Sequence, residues 1–504
     1  MSLNKELEYA PAIVLKEWVP GVANGLLVSM CMGCATVGLA VVLPDSDLAR
    51  LIAVMGVPFL IALGVTRNVL AAVTLVWLNE EFFGVGGSWI SLGPVKGRAL
   101  LLCCLMVTYL FTKWSRSQTG AREIVRNRWV VFYGLVFPVL LAFYAIFIKG
   151  IAPGAALSDV SRFVTILSYF PLFYCMIKLP WFMIGWLLGS TGLLAAVFVV
   201  LAVSPASVSG VLMEKWMGNF SVDGNEAVVT GVLETGRASF VPVMFCLIGL
   251  FLGLIVAITS REKFARTLGF CTLLATASGF VINFIRGPVL GIGIAVLVLL
   301  AGLLRAAELW MATKFATIMI ALVACGFLFT VIYLPISLEK WDIMGQSLEE
   351  LLDPVRIEQT QLMIESWLAE PVLGSGIGSS IEGYSRTEEV EGLAFEAQYP
   401  MVLYRTGIVG FILIMAPFII SIVRSLQYIA KSSNVMGSSE GLVNLAMCGA
   451  IISLLVASAF NPYLASSMAM VFMALSLASD SAIRFPLTSN DRRSPPGNES
   501  HENA

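Results

Sequence analysis

Stretches of about 20 apolar residues recur along most of this chain, and each is long enough to cross roughly 30 Å of hydrocarbon. Fourteen can be drawn, at 21–43, 49–66, 68–79, 98–112, 129–148, 162–178, 181–204, 238–258, 267–285, 287–304, 315–333, 401–426, 442–460 and 464–482. A backbone that crosses lipid must satisfy its own amide groups, so segments of this length imply helices. The composition agrees: 58% of the 504 residues are hydrophobic, 13% are charged, and the mean hydropathy is +0.88. The expected fold is all-α, a polytopic helical bundle in a membrane.

An even number of spans puts both termini on one side, and the basic residues indicate which side. Of the 31 Lys and Arg residues, 19 fall on the side of the termini, including Lys113, Arg116, Arg122, Arg126 and Arg128 in one loop and Arg261, Lys263 and Arg266 in another. An excess of this sign marks the cytoplasmic side, so both termini are expected to be cytoplasmic.

Outside the spans, residues 1–20 read as an amphipathic lead-in on the inner leaflet. Glu6, Glu8, Pro11 and Lys16 interrupt any signal-peptide pattern there. Residues 21–333 form the main bundle, 334–400 a long outer loop, 401–482 three further spans, and 483–504 a polar, disordered tail. The single histidine, His501, lies in that tail, which leaves the folded body without imidazole chemistry. All nine cysteines fall within apolar spans and read as small packing residues, Cys31 and Cys34 included. No metal, cofactor or nucleic-acid partner is expected.

The outer loop opens with Pro335 and an acidic stretch. Asp353-Pro354 then starts a helix over VRIEQTQLMIESWLAE, which Pro371 ends, and Val355, Leu362, Met363, Trp367 and Leu368 mark its apolar side. GSGIGSS follows, with Gly374, Gly376 and Gly378. It lacks the Gly-Lys-Ser/Thr of a nucleotide loop, and it reads as a turn that lets backbone amides approach a substrate or another helix. Glu388, Glu389 and Glu391 read as a solvated acidic run rather than a cation site.

Arginine is disfavoured on the outer side of a membrane protein, yet Arg237, Arg286, Arg356, Arg386 and Arg405 all fall at outer helix ends or in the long loop. A guanidinium binds phosphate oxygens in pairs and stays charged, so this set points to an anionic substrate at that face.

Three local patterns resemble one family. NFIRGPVLGIGIAVLVLLAG (283–302) turns at Arg286-Gly287-Pro288, as in the Ser-Arg-Gly turn of the O-antigen ligase and O-antigen polymerase superfamily of bacterial membrane proteins. Arg356, Trp367 and PVLGSGIGS resemble its Arg…Trp…Pro-x-x-Gly-x-Gly segment, and FEAQYPMVLYRTGIVG (395–410) its polar residue leading into a Gly-x-x-Gly helix. The likeness covers about residues 230–425. It implies an undecaprenyl-diphosphate-linked glycan donor, a sugar-hydroxyl acceptor, and room for a partner that sets chain length. In that reaction Arg286 would neutralise the leaving diphosphate, with Arg356, Arg405, Arg237 and Arg386 binding substrate. Family ligases carry His-Asn where this chain has Glu396-Ala397, which argues for a polymerase with Glu396 as base. A ligase and a flippase of the same pathway are the alternatives. The near absence of ionisable groups from the middles of the spans argues against the flippase.

Overall fold

The computed structural model describes residues 11–42, 47–83, 91–92, 95–114, 127–203, 241–260, 262–283, 286–305, 312–318, 354–381, 398–431, 438–459, 463–464 and 466–484. These form helices α1 (Pro11–Val42), α2 (Asp47–Thr66), α3 (Val69–Phe83), α4 (Gly97–Trp114), α5 (Arg128–Ile148), α6 (Pro153–Lys178), α7 (Pro180–Val203), α8 (Cys246–Thr259, entered through a 3₁₀ turn at Val241–Phe245), α9 (Lys263–Asn283) and α10 (Arg286–Arg305). Then come α11 (Pro354–Ala369), α12 (Gln398–Lys431), α13 (Ser439–Ser458) and α14 (Ser467–Arg484), and a short helical piece covers 312–318. A two-residue antiparallel ladder pairs Ser91–Leu92 with Val95–Lys96. Among the described residues, seven helices are long and apolar enough to cross a membrane, and the protein is a helical membrane protein.

Small residues set the helix spacing. A methyl group at Gly185 would lie 2.0 Å from the Val22 carbonyl oxygen, and one at Gly25 would lie 2.1 Å from that of Phe182, so α1 and α7 touch backbone to backbone. Gly189 rests on Ser29, Gly249 on Thr191, Gly253 on the Gly269 carbonyl and Gly291 on the Ser453 carbonyl. The Gly-x-x-x-Gly spacings in the sequence thus mark helix seams. At the centre, Phe82 stacks on Phe245 at 4.2 Å between ring centroids and meets Trp186 edge-on at 5.4 Å, which joins α3, α7 and α8; Phe245 reaches Phe472 of α14 at 5.7 Å. The sides of α2, α5 and α10 leave large apolar residues such as Leu60, Phe147 and Leu297 exposed, as a lipid-facing surface does.

The register of these contacts gives helix direction. Along α1 and α7, Val22, Ser29 and Gly33 meet Gly185, Gly189 and Leu193 in rising order, so the two run parallel. α7 and α9 are parallel too, with Gly192 beside Thr272 and Ala195 beside Gly279. α12 and α14 are parallel through Ser421–Ser476 and Arg424–Asp480. The ends of α3 and α13 therefore lie where α12 and α14 begin, linked by Ser467 to Glu81 and by Tyr399 to the Leu455 carbonyl.

Several boundaries differ from the sequence expectation, and so does one buried face. α6 starts at Pro153 rather than 162, because Ala156, Val160 and Phe163 form a buried stripe at helical spacing while Leu157, Ser158 and Ser161 face outward. α3 continues past Asn79 to Phe83 and buries Glu80 and Glu81, each 3% exposed. Both lie in the last turn of the helix rather than in its middle. The fall in hydropathy at Asn-Glu-Glu hides a continuing helix that finds polar neighbours in Thr36 and Ser467. In α11 the buried stripe is Gln359 and Met363, while Leu368 is 62% exposed. That helix packs on α12 along a line narrower than its apolar residues suggest.

Candidate functional site

The glycine segment after α11 is built into the start of α12. Gly374, Gly376 and Gly378 adopt φ values of 71°, 96° and 82°, a region closed to most side chains. α12 itself breaks at Gly407 (φ 62°, ψ −174°). In an unbroken helix the amides of Ile408 and Val409 would donate to the carbonyls of Tyr404 and Arg405. Here they donate to Pro371 and Val372 at 2.9 and 3.3 Å. The vacated carbonyls of Tyr404 and Arg405 accept the amides of Ser375 and Gly376 at 2.9 and 3.0 Å. The loop thereby completes the helix ladder, and four backbone groups on each side are satisfied by the exchange.

Side chains fasten the same segment to α5 and α6. α5 contains two π-helical turns, Phe132–Val136 and Tyr144–Ile148. Tyr144, which opens the second, donates its hydroxyl to the Gly374 carbonyl at 3.0 Å, and Lys149, just past its end, pairs with Glu370. The hydrogen bond to Glu370 raises the pKa of Lys149 above its usual value. From α12, the Tyr404 hydroxyl donates to the Ser380 carbonyl at 2.9 Å and Arg405 Nε to the Ser379 carbonyl at 3.2 Å. Arg405 also pairs with Asp159 of α6 at 2.7 Å, and the opposite oxygen of that carboxylate lies 3.4 Å from Arg162. The Arg405 side chain is 8% exposed, whereas that of Arg162 is 37% exposed.

Of the residues expected from the sequence, Arg405 is fully described, and it is buried against a carboxylate and a carbonyl. Arg286 is the first residue of α10 and Arg356 lies in the first turn of α11, but their side chains are outside what the structure describes. Arg237, Arg386 and Glu396, together with Glu388, Glu389 and Glu391, lie outside the described residues. The structure brings the Pro-x-x-Gly-x-Gly segment together with the Tyr-Arg-Thr-Gly helix. Compared with known proteins, the chain matches no family model, no curated protein and no solved structure.

Sequence reasoning missed Asp159, Lys149, Glu370 and Tyr144. The Ser-Asp-x-x-Arg spacing of 158–162 places Asp159 and Arg162 one turn apart, and that local signal was available. The pairing of Asp159 with Arg405 spans 246 positions and had none. Among the described residues no group of His, Cys, Asp and Glu could hold a metal ion, and the described cysteines are free thiols.

Proposed function

We propose that this chain is a membrane polysaccharide polymerase, joining undecaprenyl-diphosphate-linked repeat units at the periplasmic face of a bacterial inner membrane. The observation that carries the reading is the ordered assembly around Arg405. Two segments that resemble the O-antigen ligase and polymerase superfamily, separated by undescribed chain, meet in one hydrogen-bonded unit at a single end of the bundle. That end is where an outer-face transferase would bind its donor. The Lys/Arg bias makes it the outer side, and the fourteen-span topology with cytoplasmic termini fits the parallel and antiparallel contacts of the described helices.

In this reading Arg286 neutralises charge on the departing diphosphate and Glu396 removes the proton from the acceptor hydroxyl. Arg356, Arg237 and Arg386 hold the donor. Arg405 contributes less directly than the others, since its guanidinium already serves Asp159 and Ser379. The alternative of a pathway flippase draws on one specific observation, the buried Glu80 and Glu81 of α3, because carboxylates inside a bundle are a common device of ion-coupled transport.

The test is a gel of lipid-linked and released glycan from cells with the protein, without it, and with Arg286→Ala. A ladder of repeat units that needs both the protein and Arg286 is the expected result. One finished glycan moved to a new acceptor at unchanged length would instead make the protein a ligase. Accumulation of repeat units at the cytoplasmic face would make it a transporter.

A further inference from the structure

We infer that the turn after α11, residues 371–373, together with Leu368, is a membrane anchor seated among the acyl chains of the leaflet at its end of the bundle. By position the turn belongs to the long polar stretch 334–400. Its side chains are nevertheless apolar and turned outward: Val372 is 57% exposed, Leu373 50% and Leu368 62%. Leu368 lies on the side of α11 away from buried Gln359 and Met363, so packing on α12 leaves it uncovered.

Two helices measure the depth of the turn. α5 runs from Arg128 to Ile148, about 30 Å at 1.5 Å per residue, which is one hydrocarbon thickness. Lys149, the next residue, therefore stands at the membrane boundary, and it pairs with Glu370. Tyr144, a turn further in, donates to the Gly374 carbonyl. α12 gives the same level independently. A core of roughly 30 Å takes about 20 helical residues, and counted back from the part-exposed Arg424 it ends just before Gly407. Ile408 and Val409, just inside that limit, donate their amides to the Pro371 and Val372 carbonyls. Both helices show exposed apolar residues at this level, Phe147 and Ile148 on α5 and Ile408, Val409 and Ile412 on α12. The turn, fastened to both, extends their lipid-facing surface.

The backbone suits that place. Irregular chain beside hydrocarbon needs its polar groups satisfied from within the protein. The Glu370 carbonyl accepts the Gly374 amide, and the Val372 carbonyl that of Val409. The Pro371 carbonyl accepts both the Ile408 amide and the Trp367 indole N–H, at 2.9 and 3.0 Å. The Gly374 carbonyl takes the Tyr144 hydroxyl. Four successive turns of the chain around the exposed apolar side chains are thus served by protein donors, and water is not needed there. The anchor does not depend on the reaction proposed above.

The test uses the full-length protein, made cysteine-free, in phosphatidylcholine nanodiscs. Leu368→Cys, Val372→Cys and Leu373→Cys would each carry a bimane label. Glu358→Cys, on the polar side of α11, serves as the water reference, and Leu297→Cys, on the exposed side of α10, as the lipid reference. Phospholipids brominated in their acyl chains are expected to quench the three labels several-fold more than the water reference and to about the level of the lipid reference, with aqueous iodide giving the reverse order. Quenching by iodide and not by bromine at the three positions would put the turn in water and overturn the inference. Protection from both quenchers would mean that protein covers it, such as a second copy of this chain, and would overturn it as well. Because a label could disturb the turn, the unaltered protein would also be photolabelled with an apolar carbene precursor dissolved in the bilayer. Insertion within residues 368–373 is expected, and its absence while α10 is labelled would overturn the anchor.

Discussion

Arg405 and Asp159 form a buried ion pair, and such pairs are felt most when one partner is removed, because the other is left charged in a low-dielectric site. Arg405→Ala is expected to destabilise the protein by about 3–5 kcal/mol, and Asp159→Ala by a similar amount. The double variant should cost clearly less than the sum, with the coupling read by chemical unfolding in detergent micelles. Additive losses would show that the contact contributes little. Lys149 sets a pH limit on the neighbouring tether. Its pKa is raised in the folded state, so its stabilisation is complete below the usual lysine value of 10.5 and is lost as pH rises beyond that. Unfolding followed from pH 7 to 11 should show this loss only at the alkaline end, and Lys149→Met should remove that part of the pH dependence. None of these partners was legible in the sequence, since the residues that pair lie hundreds of positions apart.

At the scale of elements, the glycines divide into two kinds with separate physical roles. Gly25, Gly185 and Gly189 sit in the α1–α7 seam, where a Cβ meets backbone or a buried hydroxyl within about 2 Å. Gly185→Leu is therefore expected to separate the two helices and lower Tm by several degrees or prevent assembly, whereas Gly64→Leu, on open surface, should be tolerated. Gly407 is of the other kind: its φ of 62° opens the helix, and a methyl group there would also lie 2.3 Å from the Val372 carbonyl. Gly185 and Gly189 were readable from their four-residue spacing alone, whereas Gly25 was not singled out. The exchange of hydrogen bonds between 371–376 and 404–409 was not, because Gly-x-x-Gly marks a close approach without naming what approaches. Helix ends misread for a related reason: hydropathy falls at Asn79 and at 153–161, yet packing continues each helix through polar residues that find partners or face outward.

For the whole molecule, the apolar stretches that fall on described residues reappear as helices, so the helical membrane class was legible in hydropathy. The site was legible only as residue types at one face; which arginine is exposed and which is buried depended on packing between α6 and α12. Direction supplies a further test. Gly302, late in α10, lies beside Leu426 and Ile429, late in α12, while Gly291 lies beside Ser453, near the other end of the bundle. α10 thus finishes at the end opposite the one where the glycine segment and the start of α12 sit. Single cysteines in a cysteine-free background should show it: Gly150→Cys is expected to react with an impermeant maleimide in intact spheroplasts, and Ser260→Cys only after the membrane is opened. The opposite pattern would invert the orientation.

The borrowed ladder at Gly407 bears on how the chain is made. Until residues 371–376 are in place, the amides of Ile408 and Val409 and the carbonyls of Tyr404 and Arg405 lack the partners they have in the native protein, and hydrocarbon tolerates such vacancies poorly. During synthesis, the final three long helices would then pack productively only after the preceding segment has folded back onto α12. Biogenesis of this C-terminal part would wait on the docking of residues 371–376, and a defect in that segment would surface as failed assembly of the helices after it rather than as a local loss of structure.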